Sequence, residues 1–114
     1  MTIKLYHNPR CSKSRQTLAL LQHHGHEPEI IEYLKTPPDA DDLKRIIACL
    51  GLPAHDLIRP GENAYKTLGL SPDANEQRLI EAMVTEPTLI QRPIVINGDQ
   101  ARIGRPPETV LEIL

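Results

Sequence analysis

The sequence predicts an α/β fold: a four-stranded mixed sheet flanked by helices, with a helical region inserted into its middle. Three observations point there. Residues 2–34 read as strand, helix, strand, and a parallel strand pair needs such a crossover. Residues 94–103 read as a hairpin, because Asn97-Gly98 sits between two apolar runs. Between these parts, from about residue 39 to 86, the chain carries helical periodicity.

Each element follows from its residues. "TIKLYH" (2–7) is a short strand closed by Asn8-Pro9. From Ser12 to about His24 the chain suits a helix, with Leu18 and Leu21 on one face and Gly25 as the stop. "EIIEYL" (29–34) is the second strand. The following helix has aspartates in its first turn and Leu43, Ile46, Ile47 and Leu50 at i, i+3, i+4, i+7, before Gly51 caps it. Two shorter helical patches lie at 54–58 and 62–68, and another helix runs from Asn75 to about Thr85, burying Leu79, Ile80, Met83 and Val84. Strands Ile94–Ile96 and Ala101–Ile103 flank the hairpin turn, and residues 106–114 close the chain as a short helix that starts with proline. A β-α-β unit followed by a hairpin and a helix is the thioredoxin-like order. The whole of residues 1–114 is expected to form a single domain of that type.

Composition narrows the function. The 114 residues are 39% hydrophobic and 25% charged, with net charge −2, ordinary globular values. Three tyrosines and no Phe or Trp leave an aliphatic core and no base-stacking platform, so nucleic acid is not an expected partner. No apolar run approaches the length of a membrane span, and the N-terminal residues carry no signal-like apolar core. A soluble cytoplasmic monomer is expected, with both cysteines, Cys11 and Cys49, as free thiols.

Cys11 lies in "HNPRCSKSR" (7–15), between the first strand and the first helix. There its sulfur meets the unsatisfied N–H groups and positive dipole end of the helix, which favour an anion. With His7, Arg10, Lys13 and Arg15 close in sequence, the expected species is a thiolate nucleophile with a depressed pKa. A cysteine that merely fills apolar space belongs on a helix face, as Cys49 does beside Ile46, Ile47 and Leu50. The phosphatase-type Cys-x5-Arg loop is excluded, because Thr17 stands six residues after Cys11. Ser14 stands where a Cys-x-x-Cys partner would be.

Three arginines, Arg59, Arg92 and Arg105, each precede a proline. Proline holds the preceding residue extended, and a guanidinium binds oxyanions bidentately while keeping its charge. In a thioredoxin-like fold the proline before the third strand is commonly cis and faces the active cysteine, which makes Pro93 the cis candidate. "HHGH" (23–26) serves a helix end better than a metal, since no Cys or carboxylate stands at ligand spacing. No metal site is expected.

The motifs "YHNPRCSKSRQTL", "EYLKTPP", "LGL", "RPIVINGDQARIGRPPE" and "VLEIL" together resemble the glutaredoxin-coupled arsenate reductase family, in its short bacterial form, over essentially the whole chain. The resemblance implies a thioredoxin-like fold with an inserted helical region and a nucleophilic Cys11 whose thiolate attacks arsenate. It implies anion binding by Arg59, Arg92 and Arg105 and thiolate tuning by His7, Ser14 and Arg15. Glutathione as co-substrate and glutaredoxin as partner would supply the resolving thiols, with no bound cofactor, which accounts for serine at position 14. The established resistance enzymes read Cys-Gly-Thr-Ser-Arg-Asn where this chain reads Cys-Ser-Lys-Ser-Arg-Gln. Two other readings fit the same thiol: a glutathione-linked oxidoreductase acting on another substrate, and a redox regulator that binds RNA polymerase. Ser14 removes the intramolecular switch on which the latter relies.

Overall fold

The computed structural model describes residues 2–114. The chain divides into two compact units, one comprising the residues up to Thr36 with Arg92–Leu114, the other Pro37–Gln91.

The first unit holds β1 (Ile3–Tyr6), α1 (Ser12–His23), β2 (Glu29–Ile31), β3 (Ile94–Asn97), β4 (Gln100–Ile103) and a 3-10 helix over Pro107–Ile113. The strands form one mixed sheet in the order β2-β1-β3-β4, a thioredoxin-like arrangement. β1 runs parallel to β2 and antiparallel to β3, and β3 runs antiparallel to β4. Ile3 and Leu5 alternate with exposed Lys4, so one face of β1 is apolar. That face packs with Leu21, Val95, Val110 and Ile113, against which Leu18 and Leu20 lie partly buried.

The register matters more than the strand count. Tyr6 pairs with Ile31 of β2 and with Ile94 of β3, and Ile94 pairs with Ile103 of β4. The segments leaving or entering those four residues therefore emerge at one end of the sheet. They are the Asn8–Cys11 loop, the turn after β2, the Arg92–Pro93 approach to β3 and the Gly104–Arg105 exit from β4.

Several elements differ from the sequence reading, each for a local reason. β2 ends at Ile31 rather than residue 34, because the Glu32 carbonyl accepts the N–H groups of Lys35 and Thr36, both at 2.9 Å, and turns the chain. Tyr33, inside that turn, is fully buried. The hairpin turn is Gly98–Asp99, not Asn97–Gly98. Asn97 stays in β3 opposite Gln100, and its amide donates to the Ile113 carbonyl at 2.6 Å. Gly98 alone carries the positive φ, 67°, at the first turn position. The buried stripe of α1 is Ser14, Thr17 and Leu21. Two of its three members are hydroxyls because the start of α1 faces the loop ends rather than the aliphatic core. The chain's last helix is 3-10 throughout.

The second unit contains α2 (Ala40–Leu50), α3 (Asn63–Thr67) and α4 (Glu76–Thr85), with short 3-10 turns at Ala54–Leu57 and Pro87–Leu89. Asp39 and Asp42 form a reciprocal capping box on α2, with bonds of 2.8 and 3.1 Å, and Gly51 ends the helix at φ 68°. Leu43, Ile46, Ile47 and Leu50 are all buried. In α4 the stripe Leu79, Ile80, Ala82 and Met83 is buried, which leaves Val84 at its margin, 39% exposed. Among the described residues no helix is long and apolar enough to cross a membrane.

At Gly104 the backbone leaves no room for a side chain: a Cβ would lie 2.6 Å from Thr17 Oγ1 and 2.8 Å from Pro93 Cγ. Both neighbours are held, one in α1 and the other in a proline ring. Gly104→Ala is expected to lower unfolding free energy by about 1–3 kcal/mol, read from the urea midpoint at unchanged far-UV circular dichroism. An unshifted midpoint would refute this packing account.

Candidate functional site

Cys11 is the N-cap of α1, extended at φ −91° and ψ 122°. Local bonds fix it there. The Cys11 N–H donates to the Asn8 carbonyl at 2.9 Å, the Arg10 N–H donates to Asn8 Oδ1 at 3.0 Å, and the Arg15 N–H begins the helix on the Cys11 carbonyl at 3.0 Å. The Asn-Pro-Arg-Cys turn is thus tied on Asn8, and Cys11 is presented half-buried.

The thiol pKa lies below its ordinary value. Burial works against the thiolate, but the Ser14 N–H, the Arg92 guanidinium and the Lys13 N–H together outweigh it. The two N–H groups belong to the first turn of α1 and lean on the sulfur without forming a cap hydrogen bond of ordinary geometry. Arg105 adds a direct contact, its Nη2 donating to Cys11 Sγ at 3.7 Å. Arg105 is itself held by its Nε, which donates to the Arg92 carbonyl at 2.8 Å. Two guanidinium groups on consecutive strand ends therefore serve one sulfur. The Arg92–Pro93 and Arg105–Pro106 peptide bonds are both cis.

The side chains of His7, Ser14 and Arg15 bear on the loop that carries Cys11. The Ser14 hydroxyl is fully buried, 2.6 Å from His7 Nδ1, and accepts the Asn8 N–H at 3.0 Å. Its side chain is thereby spent on the loop, and only its backbone N–H bears on the sulfur. Arg15 Nη1 donates to the Pro9 carbonyl at 2.9 Å and braces the same loop. Burial lowers the His7 pKa, with Glu32 opposing and Arg15 assisting, so the ring is neutral at neutral pH. Arg59 belongs to the helical unit, where its Nη1 stands 3.9 Å from a Glu62 carboxylate oxygen. Cys49 is a free, half-buried thiol in α2. His24 Nδ1 pairs with the Leu20 carbonyl at 3.0 Å, and among the described residues no cluster of three metal-binding side chains forms.

Two features of the site were not read from the sequence. One is a cleft of about 310 Å³ lined by His7, Asn8, Pro9, Arg10, Glu32, Leu34 and Lys35, opening beside the cysteine loop. The other is Tyr33, whose phenol feels both Arg92 and the Cys11 sulfur. Nothing in "EIIEYL" marks it, because its place depends on how tightly the chain turns after β2.

The fold and site together are those of a thioredoxin-like protein with one thiol at the start of its first helix, met by guanidinium groups from the far end of the chain. The chain belongs to the ArsC family, which matches it over residues 6–113. It is 53% identical to the uncharacterized Escherichia coli (strain K12) protein YfgD, covering 98% of this chain and 96% of that one. It is 47% identical to an arsenate reductase of Haemophilus influenzae, with both chains covered completely. Its fold superposes on the structure of an arsenate reductase from Vibrio cholerae with a TM-score of 0.96 at 49% identity, covering 100% of this chain and 98% of that one.

Two measurements check the electrostatics. The rate of Cys11 alkylation against pH should have its midpoint below the ~8.5 of free cysteine, and Arg92→Ala and Arg105→Ala should each raise it. A wild-type midpoint at or above that value would reject the account. For His7 the folded state binds its proton less readily than the unfolded chain does. Its share of stability is therefore complete above the ordinary histidine pKa of ~6.5 and is lost as pH falls from there toward the lower folded pKa. Urea midpoints between pH 7.5 and 5 should fall more steeply for wild type than for His7→Gln. Equal slopes would exclude His7 as the source.

Proposed function

We propose that this protein is an arsenate reductase that works through a Cys11 thiolate adduct, with glutathione and glutaredoxin as its external thiols. The observation that carries the reading is the convergence of Arg105, at 3.7 Å, and Arg92 on a thiol whose pKa is already depressed. A nucleophile and charge-fixed donors are then adjacent, as attack on a tetrahedral oxyanion requires. Family membership and the two arsenate reductases of similar sequence or structure support arsenate as that oxyanion.

In this scheme the Cys11 thiolate attacks arsenic(V) and an As–S bond forms. One arsenate oxygen leaves as hydroxide and takes a proton from the medium to become water. Glutathione thiolate then attacks the Cys11 sulfur. An S–S bond forms, the As–S electron pair remains on arsenic, and arsenite departs. Glutaredoxin thiolate removes the glutathione as a second mixed disulfide and returns Cys11 as thiolate. Two thiols are oxidised to one disulfide while arsenic gains two electrons. The cleft lined by Arg10, Glu32, Leu34 and Lys35 lies beside the loop, and Ser14 leaves no local resolving thiol. Arg59 is assigned to the anion by the family resemblance, and the protein is assigned to the cytoplasm as a monomer without a bound cofactor.

The test is arsenate-dependent NADPH consumption with glutathione, glutaredoxin and glutathione reductase supplied. Wild type should turn over, Cys11→Ser should not, and Arg92→Ala should lose about 10²-fold in kcat/KM. Arg59→Ala should raise the KM for arsenate. Wild-type turnover no greater than the Cys11→Ser blank would sink the proposal. Turnover on a glutathione mixed disulfide alone would replace it with a general thiol oxidoreductase.

A further inference from the structure

Among the described residues, the buried side-chain polar atoms without a hydrogen-bond partner are Thr17 Oγ1, Tyr33 OH and Arg92 Nε. The last two are neighbours. Tyr33 follows the end of β2 by two residues, and the Ile31 carbonyl at that end accepts the His7 N–H at 2.9 Å. This bond ties the turn carrying Tyr33 to the loop carrying Cys11. The phenol is close enough to Arg92, Cys11 and Asn8 for each to act on it, but no atom of theirs meets it with hydrogen-bond geometry.

An unpaired buried hydroxyl is expensive, since its desolvation is not offset. A phenylalanine would fill the same fully buried space without that cost. The Arg92 Nε–H can only donate and the hydroxyl can donate as well, so one acceptor placed between them would satisfy both. The Arg92 guanidinium already bears on the thiolate, so an acceptor that met both donors would sit over the sulfur. A tetrahedral oxyanion in place for attack has oxygens to offer there. Burial, opposed by Arg92 and reinforced by the Cys11 charge, raises the phenol pKa, so the group is a neutral donor at neutral pH.

We propose that Tyr33 is a substrate-binding residue whose hydroxyl, beside Arg92 Nε, donates a hydrogen bond to an oxygen of the oxyanion held at Cys11. The inference rests on the reading of Cys11 as an oxyanion site and adds to it a neutral donor. A neutral donor discriminates by geometry where the arginines discriminate by charge. It also keeps the added positive charge near the thiolate to the two guanidinium groups, so the nucleophile is not further weakened.

The experiment measures how well phosphate, as an unreactive tetrahedral anion, protects Cys11 from alkylation, in wild type and in Tyr33→Phe. The phosphate concentration giving half-protection should be about 10-fold higher or more in Tyr33→Phe, the loss expected for a hydrogen bond to a charged acceptor. The thermal midpoint of Tyr33→Phe should equal or exceed that of wild type, because the variant removes a buried unpaired group. Equal half-protection in both proteins would overturn the proposal, whether or not the alkylation midpoint of Cys11 moves, since the hydroxyl would then serve the sulfur or nothing. Absence of protection in wild type would overturn the oxyanion site itself, and the role of Tyr33 with it.

Discussion

Everything at the site depends on one pairing constraint. Tyr6 is paired in register between Ile31 and Ile94, and Ile94 in turn faces Ile103. Side chains alternate along a strand, so a slip of one residue in any of these ladders would invert a face and misplace a loop. The apolar set Ile3, Leu5 and Val95 resists that slip, because it can be buried only in this register. Holding the core in register therefore also holds Cys11, Tyr33, Arg92 and Arg105 at one end of the sheet. Aliphatic packing on one side of the sheet is what keeps the chemistry at its edge together.

The electrostatics of the thiol follow from the same arrangement. Residues near Cys11 in sequence contribute mainly backbone, through the Lys13 and Ser14 N–H groups of the helix start. Their side chains have other work: Ser14 secures His7 and Asn8, and Arg15 secures Pro9. Guanidinium charge arrives from Arg92 and Arg105, on segments that enter β3 and leave β4. Arg105 is aimed by the Arg92 carbonyl, so the two cations form one unit. Neutral His7 suits this division of labour, since the helix start and the arginines already supply positive potential.

Much of the fold was legible because its signals are local. The i, i+3, i+4, i+7 stripe of α2, its first-turn aspartates and its Gly51 stop are all short-range rules that the structure obeys. What escaped the sequence depended on partners distant along the chain. The hairpin turn moved by one residue because Asn97 has a use at the Ile113 carbonyl. The apolar run at 29–34 stopped early because Glu32 turns the chain, which buried Tyr33. The hydroxyl face of α1 went unread because periodicity counts apolar residues, whereas Ser14 is buried against His7 and Asn8 and Thr17 against Gly104.

The sequence by itself determined that Cys11 would begin a helix directly after a strand, with no thiol three residues on and with arginines before prolines. A strand end, a proline and a helix start are written in adjacent residues, and their effect on a sulfur is local. Only the tertiary structure decided which charges meet that sulfur and that a buried phenol stands beside them. Those contacts join residues as much as 94 positions apart, and strand register, which no short stretch of sequence encodes, is what brings them together.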